Sequence, residues 1–131
     1  MTNETTITGP LSPDISPIHH KMTGEFKKYM KANPEIVVVA QTLLEISSSV
    51  LDPKPLSIQF FLFHVSGEDY SDPALELRYP ASGGLDESEM IRTLNALCRE
   101  WLVDKAMDED EYLRLRRTQK RFRFFLIQAA T

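Results

Sequence analysis

Three histidines and one cysteine are the side chains of this 131-residue chain best suited to proton transfer, metal ligation or nucleophilic attack near neutral pH. Their spacing assembles none of these chemistries. His19 and His20 are adjacent in a proline-rich stretch, and no third His, Cys, Asp or Glu stands at a metal-ligand spacing from them. His64 closes the apolar run "IQFFLFH" and is expected to be a structural histidine satisfied by a carboxylate such as Asp69 or Asp72. Were it instead a general base, a cleft should lie beside it. Cys98 falls on an apolar stripe beside Leu97 and Trp101, where a thiol packs as a small hydrophobe.

Two further stretches invite a chemical reading and resist it. "SGG" at Ser82–Gly84 precedes a helix start, but it lacks the lysine and the wider glycine spacing of a phosphate loop. Asp86, Glu87 and Glu89 follow at once and oppose an anion there. Asp108, Glu109, Asp110 and Glu111 are consecutive, without the alternating ligands or the central glycine of a calcium loop. The expectation is a protein that is not an enzyme, with no cofactor and no metal.

Charge is the most distinctive feature. The net value of −4 conceals −1 over residues 1–67, −9 over 68–111 and +6 over 112–131. Much of this polarity is what helix ends favour, since acids suit the positive end of the helix dipole and bases its negative end. The single cysteine precludes an internal disulfide and points to a reducing compartment. The opening residues carry no secretory pattern, and "IVVVA" and "FFLF" are far shorter than the roughly 20 apolar residues of a membrane helix. A cytoplasmic protein with no membrane contact is expected.

The elements that must carry these residues can be read in order. Residues 1–20, with Pro10, Pro13 and Pro17, bury too little to offset ordering and are expected to form a flexible arm. Residues 21–131 form one α+β domain. Met22, Phe26, Tyr29 and Met30 share one side of a short helix over Met22–Ala32, and Asn33-Pro34 caps and opens a second, Pro34–Val50. "DPKP" stops that helix. Leu56–Val65 reads as a central strand apolar on both faces, hence one covered on both sides, and "ALELRYP" as its antiparallel hairpin partner. Asp86 with Glu89 and Asp108 with Glu111 are capping boxes for a long amphipathic helix to about Ala106 and a short charged one after it.

The last segment, "RLRRTQKRFRFFLIQ", switches to period two from Lys120, with Phe122, Phe124 and Leu126 on one face. It is expected as a third strand, completing a small antiparallel sheet of about three strands in the order α-α-β-β-α-α-β. Two functions follow from the surfaces. The first is a non-catalytic interaction module, an adaptor, chaperone or inhibitor, holding a basic or nucleic-acid-binding protein through Asp86, Glu87, Glu89, Asp108, Glu109, Asp110 and Glu111. The second is nucleic-acid binding through Arg114, Arg116, Arg117, Lys120, Arg121 and Arg123, which the pI near 5.4 disfavours. A homodimer is a further candidate, since a second copy could cover one face of so thin a sheet.

Overall fold

Local chemistry sets where each helix begins. The computed structural model describes residues 19–67, 69–80 and 85–128. Thr23 accepts a hydrogen bond from the Phe26 amide at 3.1 Å and starts α1, Gly24–Ala32. Pro34 opens α2, Pro34–Ser49, at the position where its missing N–H costs nothing. Asn33 departs from its expected role: its side chain makes no N-cap bond and instead donates to the Tyr29 carbonyl at 2.9 Å, tying off α1. Asp86 and Asp108 cap α3, Glu87–Lys105, and α4, Glu109–Arg121, by accepting from the Glu89 and Glu111 amides at 3.0 and 2.8 Å.

The strands correct the expected sheet in two respects. There are four among the described residues: β1 His19–Met22, β2 Ser57–His64, β3 Ser71–Tyr79 and β4 Arg123–Gln128, in the spatial order β1-β2-β3-β4. Only the β2–β3 hairpin is antiparallel; β1 pairs with β2, and β4 with β3, in parallel. The element order is therefore β-α-α-β-β-α-α-β. β1 opens at His19, two residues inside the stretch read as an arm, and residues 1–18 lie outside the described ones. A four-residue edge strand reading "HHKM" has too little alternation to be detected by pattern.

The four helices among the described residues pack on one face of the sheet. Phe26 of α1, Ile36, Val39, Leu43 and Ile46 of α2, Leu94 and Leu102 of α3 and Leu115 of α4 close over Ile58, Phe60, Leu75, Leu77 and Tyr79 as a single buried cluster. Phe26, Phe60 and Phe122 meet there with ring centroids 5.4–6.5 Å apart. Each parallel pair is joined by a two-helix crossover, and the two pairs run in opposite directions. Two such crossovers on the same face must have opposite hands, so one is the rare left-handed kind. Two right-handed crossovers would have put one helix pair on each face. The expectation that helices cover β2 on both sides fails for that reason.

Candidate functional site

The sheet face that none of the described helices covers is built by alternation. Along β2, Ile58 and Phe60 turn into the core, so Gln59, Phe61 and Phe63 turn out. Register then aligns them with neighbours: Phe61 with Ala74 and Arg123, Gln59 with Glu76 and Phe125, Phe63 with Asp72. Phe125 stands between the other two rings, its centroid 5.8 Å from that of Phe61 and 5.5 Å from that of Phe63. Arg123 lies over Phe63 with its guanidinium carbon 4.8 Å from the ring centre, and donates to Asp72 at 2.8 Å. Arg78 pairs with Glu76 at 2.6 Å on the same face. The result is a partly buried aromatic row edged by charges of both signs.

The acidic residues are exposed, except Glu111, which is half-buried, but the fold does not gather them into one surface. Asp86, Glu87 and Glu89 start α3, whereas Asp108, Glu109, Asp110 and Glu111 follow its far end. The groups stand at opposite ends of the nineteen-residue α3, a length of about 28 Å at 1.5 Å per residue. Glu89 pairs with Arg92, and Glu111 accepts from the Met107 amide at 2.6 Å.

The six basic residues divide among three surfaces. Arg114 pairs with Glu35 of α2 at 3.7 Å and lines a cavity of about 350 Å³ with Arg117 and Arg121. Arg121 also lies over Tyr29 at 5.9 Å and donates to the Ser71 carbonyl at 3.4 Å. Arg123 belongs to the open sheet face. Arg116 and Lys120 turn the other way, into a cavity of about 470 Å³ between α3 and α4, where Arg92, Asn95 and Arg99 of α3 meet them. Those three α3 residues were not singled out from sequence; their spacing of three, four and seven was the available signal.

His64 has partners other than the expected Asp69 or Asp72. Its Nε2 lies 2.9–3.0 Å from both carboxylate oxygens of Glu25, and its Nδ1 lies 2.6 Å from the Ser71 hydroxyl. The order of groups is that of a hydroxyl–imidazole–carboxylate relay. The group is open to solvent, His64 and Glu25 being 62% and 54% exposed. The relay fastens the first turn of α1 to the β2–β3 hairpin.

Cys98 is fully buried, and burial pushes its thiol up from 9.0 to about 12, so it holds its proton at neutral pH. The Tyr79 hydroxyl is pushed up by burial as well, and donates to the Pro53 carbonyl at 3.1 Å beside a cavity of about 390 Å³. Among the described residues no group of three or more His, Cys, Asp or Glu could hold a metal ion, and no helix is long and apolar enough to cross a membrane. No protein-family model matches the chain, and comparison with curated proteins and with solved structures likewise finds no match.

Proposed function

We propose that the chain is a small non-catalytic interaction module, of the adaptor, chaperone or inhibitor kind, that assembles as a face-to-face dimer through the open side of its sheet. The observation that carries this reading is the row Phe61–Phe125–Phe63 left facing outward by the one-sided helix layer. Apolar rings in contact on a sheet face favour burial against a second apolar layer.

A second copy suits this face for two reasons. Stacking a patch on itself about a two-fold axis brings each charge near a copy of its neighbours, so a face of one sign would repel itself. Here Arg78 and Arg123 stand beside Glu76 and Asp72, and both signs are available. Size agrees too. Four strands about 4.8 Å apart and four to nine residues long offer a flat footprint of roughly 400 Å², hence roughly 1,000 Å² or more in total once two rough faces are counted. That is the low end for a specific interface. The exposed acids at either end of α3 offer a basic protein two separate corners and not one continuous field.

Light scattering on the pure protein tests the reading. A mass twice the 15.0 kDa of one chain is expected, falling to a single chain in Phe125→Lys while the circular dichroism spectrum is retained. A wild-type protein that stays monomeric at high micromolar concentration overturns it.

A further inference from the structure

The cavity between α3 and α4 lies in the helix layer, away from the open sheet face. Arg92 and Arg99 reach it from one helix, Arg116 and Lys120 from the other, and among the described residues no acid lines it. In a chain of net charge −4 that grouping is not what composition would supply by default. Arg92 is engaged by Glu89, and Arg116 reaches the Tyr112 hydroxyl at 3.4 Å. Arg99 and Lys120 have no ion pair among the described residues. Cations grouped around one hollow give it a positive potential that favours entry of an anion.

The floor of the cavity is also unfinished. Gln119 is 4% exposed, and its amide nitrogen donates to the backbone carbonyl and side chain of Asn95 at 2.9 and 3.2 Å. Its carbonyl oxygen is buried with no partner, as is the Nε of Arg116 one turn earlier. A buried acceptor and a buried donor left open three residues apart on α4 cost stability, and such groups in a native fold call for a reason. Phe124 supplies an apolar wall beside them.

We infer that this cavity binds a phosphate-bearing small molecule that also carries hydroxyl groups, the class that includes sugar phosphates and nucleotides. Phosphate oxygens satisfy Arg99, Arg116 and Lys120, whose planar or point charges match them. A ligand hydroxyl supplies the donor that the Gln119 carbonyl lacks, once the side chains lining the cavity shift to admit it. The volume of about 470 Å³ falls among small-ligand sites. A nucleic-acid strand is a worse fit, because the remaining bases Arg114, Arg117 and Arg121 line a different cavity and Arg123 another face.

Calorimetric titration of the full chain at low salt with pyrophosphate, a nucleoside triphosphate and a single-stranded RNA oligomer tests the inference. The triphosphate is expected to bind more tightly than pyrophosphate. The double variant Arg99→Ala/Lys120→Ala should weaken it at least tenfold, whereas Arg114→Ala/Arg117→Ala, with the same loss of charge, should change it less than twofold. Gln119→Leu should weaken the triphosphate more than it weakens pyrophosphate, which carries no hydroxyl-bearing sugar. Equal weakening by both double variants, binding of RNA alone, or no heat with any phosphate probe overturns the proposal.

Discussion

The Nε of Arg123 on β4 lies 2.8 Å from Oδ2 of Asp72 on β3, so the edge strand is fastened to its neighbour by a charge-assisted hydrogen bond at the point where pairing begins. Asp72 is the more buried partner, with 14% of its side chain exposed against 44% for Arg123. Phe63 shields the guanidinium from the other side. A double-mutant cycle of Arg123→Ala and Asp72→Ala, read by urea denaturation, should give a coupling of about 0.5–1 kcal/mol, at the upper end for a partly exposed pair. The coupling should shrink as salt is raised. A cycle that closes at zero would remove this pair from the account of how β4 is held.

The core and the surface of the helix layer should respond very differently to the same chemical change. Leu94 is 1% exposed in the middle of α3, and Leu94→Ala should cost about 2–5 kcal/mol through lost burial and the cavity left behind. Leu113 is 47% exposed on α4, and Leu113→Ala should lie within about 0.5 kcal/mol of wild type. Thermal or chemical denaturation of the two variants side by side decides between this packing and one in which α4 turns its other face inward.

The two helix caps should contribute separately. Asp86→Ala and Asp108→Ala each remove an acceptor from the first turn of a helix and should each cost about 1 kcal/mol. The sites stand at opposite ends of α3 with no shared partner, so the double variant should cost the sum. A marked departure from additivity would mean that the two ends communicate through α3.

Cys98 should make stability fall in alkaline solution. Its proton is held more tightly in the folded chain than in the unfolded one, so the contribution is complete below pH 9, declines above it and is gone once pH passes about 12. Urea midpoints measured from pH 8 to pH 10.5 should decline more steeply in the wild type than in Cys98→Ala. A disulfide reagent at pH 8 should label the thiol only as fast as the fold opens, and immediate labelling of the native protein would contradict its burial.

Most individual elements were legible because their signals are local. Helix starts are written in Asp86–Glu89 and Asp108–Glu111, the α3 stripe in Met90, Leu94, Cys98 and Leu102, and the last strand in the alternation after Phe122. Sequence also determined that Leu75, Leu77 and Tyr79 face inward and that Glu76 and Arg78 do not. These depend on a few neighbouring side chains and the backbone's own hydrogen bonds, so the chain specifies them without reference to distant parts. The candidate sites were not legible in the same way. α3 holds the two acidic groups apart, while Arg92 and Arg99 meet Arg116 and Lys120 only because α3 and α4 pack side by side.

Tertiary structure alone decided the direction of β4 beside β3, the pairing of β1 with β2 and the placing of both helix pairs on one face. The physical reason is that "FFLF" is equally ready to bury either side. Which side goes inside is settled by the hand of the crossovers, a property of how whole elements pack, and that choice is what leaves Phe61, Phe63 and Phe125 facing out.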